Sequence, residues 1–182
     1  MPLNDYHAEH PQHPNPYSAA DIITLLRENH WLITDPTSEQ LSWAERAAQL
    51  LGHYAEDRAA LAYLLRPVFH YDAAEILQSP DAQAAISRYA AREVIRHLAL
   101  LLLDPAPFTS ERFKEVATYL KETCGIRSRD LFHPIRLSLA GRVGEGELDR
   151  VILLLDEAAA LPFATPVKSV RTRILEFCSA LD

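Results

Sequence analysis

The sequence predicts an all-α protein, and three observations support that fold class. Leu, Ala, Glu and Arg are abundant, whereas only five glycines occur among 182 residues, a composition typical of helices. Apolar residues recur at the spacing of one helical face in segment after segment. The alternation that marks a strand never extends beyond four residues. We therefore expect about eight helices, joined by short connections into a helical bundle.

The first two helices begin at recognisable caps. Ser18 predicts a helix that starts at the next residue and ends near Asn29. Thr37 and Gln40 have the spacing of a capping box, in which each side chain bonds to the backbone N–H group of the other residue. They predict the start of a second helix, which Gly52 is expected to interrupt.

Prolines divide the next part of the chain. We expect a helix over residues 55–65, ended by Pro67 because the residue before a proline is biased away from helical geometry. A short helix is predicted over residues 73–78. Pro80 suits the first position of a helix and predicts the start of the longest one, which continues to about Leu103.

The sequence Asp-Pro-Ala-Pro at residues 104–107 predicts a boundary between two subdomains. We assign residues 1–17 to a flexible His/Pro-rich tail, residues 18–104 to an N-terminal helical subdomain and residues 105–182 to a C-terminal helical subdomain.

The C-terminal subdomain is expected to begin with a helix capped by Thr109 or Ser110. Gly125 is predicted to end it, because glycine is favoured just after a helix. A helix is then expected to begin near residues 131–133, and the last helix is expected to start at Pro166.

Composition excludes several classes of protein. The net charge of −7 and the pI near 5.6 argue against indiscriminate nucleic-acid binding. The longest apolar run, which starts at Leu98, is far shorter than the roughly 20 residues that a membrane span needs. No secretion signal is recognisable. We expect a soluble, cytoplasmic protein without a membrane partner, with Cys124 and Cys178 as reduced thiols.

No motif predicts catalysis. The sequence has no glycine-rich phosphate loop and no recognisable pair of nucleophile and base, so we expect no catalytic residue and no cofactor. His7, His10 and His13 recur at every third residue and could capture a metal, but no cysteine or carboxylate cluster completes a site. We expect a mobile tail and no metal site, and His97 is interpreted as a residue at the edge of the core.

Positive charge is concentrated in residues 127–142, which contain four arginines and one acid, a net charge of +3. At about 100° per residue, Arg129, His133 and Arg136 share one helical face, with the small Ala140 at its end. This predicts a basic face opposite a core face. Arginine binds phosphates and stacks on unpaired bases. The alternative is a solvated arginine face on an ordinary helix.

Pro134 lies in the same segment. If the helix begins near residues 131–133, the missing N–H group of the proline has no helical partner to lose. Gly141 would then let the backbone turn toward Arg142.

The segment GIRSRDLFHPIRLSLAGR, residues 125–142, resembles the signature segment of the C-terminal anticodon-binding region of bacterial glutamyl-tRNA synthetases. Further likeness extends the resemblance over about residues 20–155. The matching positions within the signature segment are Leu131, Phe132, Pro134, Ile135, Arg136, Leu139, Gly141 and Arg142.

The resemblance implies an all-helical cage of two subdomains, like that of class I glutamyl-tRNA synthetases, which docks on the anticodon arm of tRNA. It implies RNA contacts by Arg136 and Arg142, with His133 and Arg129 as neighbours. The expected function is that of a non-catalytic module in translation that binds tRNA or a tRNA-like RNA hairpin. The alternative is a helical scaffold reused for protein interaction or regulation without RNA binding.

Several positions depart from the family pattern. Ala140 stands where the family has threonine, and Glu145 and Glu147 add negative charge that weakens attraction for phosphate. The final segment, from about residue 158, has no counterpart in the family pattern. The family's H-x-G-H motif and lysine loop are missing, so we expect a free-standing paralogue that does not aminoacylate alone.

Overall fold

The prediction of an all-α fold is confirmed. The computed structural model describes residues 14–182, which form eleven α-helices, a 3₁₀ turn at Gly52–Tyr54 and no strand. The helices are α1 (Ala19–Glu28), α2 (Ser38–Leu51), α3 (Arg58–Phe69), α4 (Ala73–Leu77), α5 (Pro80–Ile86), α6 (Ala91–Leu102), α7 (Ser110–Cys124), α8 (Arg129–Ala140), α9 (Gly146–Ile152), α10 (Leu155–Ala159) and α11 (Val170–Leu181). No helix of this part of the chain is long and apolar enough to cross a membrane.

The predicted caps are confirmed. Ser18 caps α1, and its backbone N–H donates to the Asp21 carboxylate at 2.8 Å. At the start of α2 the Gln40 N–H donates to Thr37 Oγ1 at 3.1 Å, and the Thr37 N–H donates to Gln40 Oε1 at 2.9 Å. The N–H groups of Thr37 and Gln40, two of the donors at the start of α2, therefore have side-chain partners.

Replacing Thr37 with alanine is expected to lower the free energy of unfolding by about 1 kcal/mol, because the Gln40 N–H loses its acceptor. Urea unfolding followed by circular dichroism measures the change. Thr24→Ala is the matched control, because its hydroxyl donates to the Ala20 carbonyl inside α1 and caps nothing. An equal loss in both variants would contradict a capping role for Thr37.

Residue 52, which follows the end of α2, is a glycine for a steric reason. Asn15 Nδ2 donates to the Ala48 carbonyl at 2.8 Å, and a Cβ at residue 52 would lie only 1.9 Å from Asn15 Oδ1. The glycine therefore leaves the space that Asn15 occupies. Residues 1–13, with most of the predicted tail, lie outside the described residues.

The predicted end of the third helix is wrong, because α3 continues through Pro67 to Phe69. A proline inside a helix leaves the carbonyl four residues earlier without its donor, here the carbonyl of Tyr63. Arg142 Nη1 donates to that carbonyl at 2.8 Å. A distant arginine thus replaces the missing helical bond.

Two other helix boundaries also differ from the predictions. The long helix expected from Pro80 is divided into α5 and α6, since Ala90 has a φ of 62° and cannot continue a right-handed helix. The last helix begins at Val170 rather than at Pro166, and Ser169 caps it by accepting from the Thr172 N–H at 3.2 Å.

Helix α8 lies at the centre of the fold. It packs against α5, α6, α7, α9 and α11, and nine of its twelve residues are buried. The final segment belongs to the same core, because Ile174 and Phe177 of α11 are fully buried. Helix α6 precedes the predicted boundary at residues 104–107 and packs against α8 and α11, which follow it. The division into two subdomains stays a prediction.

Candidate nucleic-acid interface

The segment with the family-like sequence forms α8 and the turn after it. The helix begins at Arg129, so Pro134 is its sixth residue. The prediction that Pro134 lies in the first turn is therefore wrong. The carbonyl of Asp130 therefore lacks a helical donor. Gly141 has a φ of 77°, and a Cβ there would lie 2.9 Å from Ile76 Cδ1, so only glycine suits the turn.

Arg136 lies inside the protein and is 6% exposed. Its Nε and Nη2 donate to the two carboxylate oxygens of Asp149 at 2.8 and 3.0 Å, and its Nη1 donates to the Gly144 carbonyl at 2.9 Å. The guanidinium carbon lies 5.0 Å from the centre of the Phe132 ring. This bidentate pair joins α8 to α9 and fixes the loop between them.

The prediction of an exposed basic face on α8 is therefore wrong at two positions. Arg136 is buried and paired, and Ala140 is buried as well. The sequence of α8 is amphipathic, but neighbouring helices cover the helix on nearly all sides. Whether Arg136 contributes to RNA binding stays a prediction.

Arg142 lies just past the other end of α8, against an aromatic ring. Its guanidinium carbon is 3.6 Å from the centre of the Tyr63 ring, while Nη1 donates to the Tyr63 carbonyl. Tyr63 is 60% exposed, so the stacked pair lies at the protein surface. A flat arginine face held on an aromatic ring is suited to stack on another planar group.

A cleft of about 250 Å³ lies beside this pair. It is lined by Arg66, His70, Ser79, Gly141 and Arg142, among others. Cationic and hydroxyl groups therefore surround a space next to the stacked guanidinium. Glu75 and Asp72 also reach the cleft, and Glu75 Oε2 lies 3.0 Å from His70 Nε2.

A second group of basic residues lies at the amino end of α8. Arg129 is exposed and forms no ion pair with any residue in the range 14–182. Arg88 Nε binds Asp130 Oδ1 at 2.9 Å, which neutralises the acid next to Arg129. The first N–H groups of a helix attract anions, so this end combines helix and side-chain donors for a phosphate.

His133 is half-buried one turn after Arg129. Burial lowers the pKa of His133, and the positive charges of Arg136, Arg88 and Arg129 lower that pKa further, while Glu145 opposes them. The imidazole is therefore neutral at pH 7 and offers one donor and one acceptor.

The four predicted residues do not form one cluster. Arg129 and His133 lie at the amino end of α8 and Arg142 beyond its carboxyl end, about 16 Å away along the axis. Arg136 is buried between them. Sequence reasoning missed Tyr63 and Arg88, because Tyr63 reaches the site from α3 and Arg88 from the turn between α5 and α6, and no local pattern marks either residue.

A larger cleft of about 420 Å³ lies elsewhere, next to the loop at residues 104–109. Its lining mixes charges of both signs, including Arg46, Arg112, Asp156 and Glu157. Arg112 bonds to the carbonyls of Leu101 and Asp104 and so holds the loop. This arrangement explains the loop structurally, and the Thr109 and Ser169 hydroxyls in the lining cap α7 and α11.

Similarity to known proteins is limited to part of the chain. No family model and no solved structure matches the chain significantly. Glutamate–tRNA ligase 2 of Syntrophus aciditrophicus is 33% identical over 84 residues, which cover 46% of this chain and 17% of the ligase. Glutamate–tRNA ligase of Exiguobacterium sibiricum is 24% identical over 161 residues, which cover 87% of this chain and 32% of the ligase.

The described residues contain no strand, so no nucleotide-binding sheet domain of a synthetase is evident among them. The chain spans a third or less of the length of these two relatives. It is weakly homologous, over part of its length, to glutamate–tRNA ligases, the enzymes also called glutamyl-tRNA synthetases.

Proposed function

We propose that this chain is a non-catalytic RNA-binding module that binds a tRNA anticodon arm or a similar RNA hairpin. The observation that carries the proposal is the exposed stack of Arg142 on Tyr63 beside a cleft with basic groups. Single-stranded loops are recognised by stacking of splayed bases on aromatic or guanidinium planes. The weak homology to glutamate–tRNA ligases supports the same class of partner.

The two ends of α8 take different parts of the RNA. Arg142 and Tyr63 offer a stacking platform for a base, and the cleft beside them offers polar groups for its edge. The Arg129 side chain and the first two backbone N–H groups of α8, those of Arg129 and Asp130, bind phosphate. Phosphate contacts position the RNA, and the base contact supplies selectivity.

Arg136 is a positioning residue in this proposal. Its three hydrogen bonds to Asp149 and Gly144 hold the loop over residues 141–145, which begins with the turn to Arg142. Glu147 adds a second restraint, since its carboxylate accepts from the Glu145 N–H at 3.3 Å. Of the two acids that weaken phosphate attraction at this end, Glu147 is thus engaged in holding the loop.

Replacing Arg142 with alanine is expected to weaken RNA binding by about 1–3 kcal/mol, because the stacking plane is lost. Filter binding to total tRNA at low salt measures the change. Arg27→Ala is the matched control, an exposed arginine on α1 that pairs with Asp35 and lies on no part of the proposed interface. Equal affinity of wild type, Arg142→Ala and the double variant Arg129→Ala/Arg142→Ala would contradict the proposal.

Replacing Arg129 with alanine is expected to have a different signature. A phosphate contact depends on salt, so the slope of log affinity against log salt concentration should fall by about 1. The Arg142→Ala variant should lose affinity with less change in that slope. Identical slopes of log affinity against log salt concentration for wild type and Arg129→Ala would contradict a phosphate contact by Arg129.

The alternative is a helical domain for protein interaction. The exposure of large apolar side chains favours it: Tyr89 is 85% exposed and Leu100 is 65% exposed, and neither belongs to the proposed RNA site. Copurification of one defined protein with a chain that binds no tRNA at low salt would support this reading. If that protein no longer copurified with a Tyr89→Ala/Leu100→Ala variant, the surface around these two side chains would be the binding surface.

A further inference from the structure

Three potential metal ligands converge where α6 packs against α7. Glu93 and His97 are four residues apart on α6 and therefore lie on one face. Cys124 is the last residue of α7. One ligand atom from each residue lies within 4.8 Å of the other two, and His97 Nε2 is 3.8 Å from Glu93 Oε1.

This set of donors suits zinc. Thiolate, imidazole and carboxylate are the three ligand types of zinc sites in proteins. With bonds of about 2.0–2.3 Å in tetrahedral geometry, ligand atoms lie about 3.3–3.8 Å apart. The histidine and glutamate atoms already have that separation. Ligand atoms that lie up to 4.8 Å apart would have to approach each other by about 1 Å. Small rotations of the side chains provide a movement of that size.

The burial of the three residues is compatible with an ion that enters from solvent. The Glu93 side chain is 55% exposed, the His97 side chain is 31% exposed, and Cys124 is partly buried. A Zn²⁺ ion would be neutralised by one thiolate and one carboxylate, with a neutral imidazole as the third ligand. The fourth position would face solvent and take a water molecule.

Cys124 is partly buried and packs against the hydrophobic core. Cys124 and Cys178 are both free of disulfides. Burial raises the pKa of the Cys124 thiol, and the charge of Glu93 raises that pKa further. A cation that binds the Cys124 sulfur as a thiolate must displace the thiol proton.

We propose that Glu93, His97 and Cys124 form a zinc site with one open position, which ties the end of α7 to α6. The site lies apart from the stacked pair of Arg142 and Tyr63 and does not depend on the proposed RNA binding. Cys124 lies 27 positions after His97 along the chain, so no sequence spacing marks the complete set of ligands.

Cobalt titration of the full chain tests the site, because a cobalt–thiolate bond gives a charge-transfer absorption band. All variants carry His7→Ala, His10→Ala and His13→Ala, which removes the tail histidines as competing ligands. We expect one equivalent of Co²⁺ to bind with that band and Zn²⁺ to displace it. Calorimetry in buffers of different ionisation enthalpy should report about one proton released per Zn²⁺.

Two variants and one control distinguish the ligands. Cys124→Ser should abolish the charge-transfer band, and His97→Ala should weaken binding at least about tenfold. Cys124→His keeps a ligand atom and should retain Co²⁺ without the band, which separates loss of the ligand from loss of the fold. Cys178→Ser is the matched control and should bind as the parent does. A parent chain that binds no Co²⁺, or a band that survives Cys124→Ser, would overturn the proposal.

Discussion

Replacing Arg173 with alanine is expected to lower the free energy of unfolding by about 3–5 kcal/mol. Arg173 is fully buried in α11. Its guanidinium donates to four backbone carbonyls at 2.8–3.1 Å, namely those of Pro67, Val68, Leu139 and Lys168.

These carbonyls lie where helices end. Pro67 and Val68 are in the last turn of α3 and Leu139 is in the last turn of α8, so none has a helical donor. A buried carbonyl left without a donor costs about 1–3 kcal/mol. Arg173 satisfies the ends of two helices from the interior, a role that solvent fulfils at most helix ends.

The charge of Arg173 persists in spite of its burial. Burial lowers the pKa of Arg173 to about 10, which keeps the guanidinium protonated at pH 7. The Tyr71 ring, with its centre 4.7 Å from the guanidinium carbon, adds a cation–π contact. Part of the free energy gained from the hydrogen bonds offsets the cost of desolvating the guanidinium. The expected loss of stability is therefore smaller than the summed cost of four buried carbonyls without donors.

Urea unfolding of Arg173→Ala and Arg171→Ala provides the comparison. Arg171 is an exposed arginine on the same helix, so its substitution removes equal charge and length without a buried partner. We expect a change below about 0.5 kcal/mol for Arg171→Ala. Similar stability of the two variants would show that Arg173 does not join α3, α8 and α11.

Local signals in the sequence predicted the local structure correctly. The capping pair at Thr37 and Gln40, the serine cap at Ser18 and the glycine after α7 each act within a few residues, and each was found where expected. At Pro67 a distant residue changed the local balance. Pro67 was expected to end its helix, but Arg142 supplies a donor to the carbonyl that the proline leaves free.

Burial of charged residues could not be predicted in the same way. A helical wheel places Arg136 opposite the apolar face of α8, and that reasoning assumes that water covers the opposite face. In the structure α9 covers it and provides Asp149 as the partner. Arg173 has no signal at all in its local sequence, because its partners are carbonyls of two other helices.

Replacing Asp149 with alanine is expected to lower the free energy of unfolding by about 3–5 kcal/mol, since the Arg136 guanidinium would stay buried with its charge uncompensated. The Asp149 carboxylate is 18% exposed and the Arg136 side chain is 8% exposed, so water cannot fully replace the lost partner. The Gly144 carbonyl and the Phe132 ring would remain as the contacts of the guanidinium.

Asp130→Ala is the matched control for this pair. It breaks the ion pair between Arg88 and Asp130, whose side chains are 48% and 45% exposed. An exposed ion pair contributes about 1 kcal/mol or less, because water and salt screen it. A loss in Asp149→Ala no greater than that in Asp130→Ala would contradict a structural role for the buried pair.

The double variant Arg136→Met/Asp149→Leu separates the charge from the space it fills. Apolar replacement of both partners is expected to recover much of the stability lost in Asp149→Ala, since no charge is then left buried. The loop over residues 141–145 would still lose its bond from Arg136 to the Gly144 carbonyl. If Arg136 positions Arg142 for RNA, this stable double variant should bind tRNA more weakly than the wild type, and full affinity would restrict Arg136 to a role in stability.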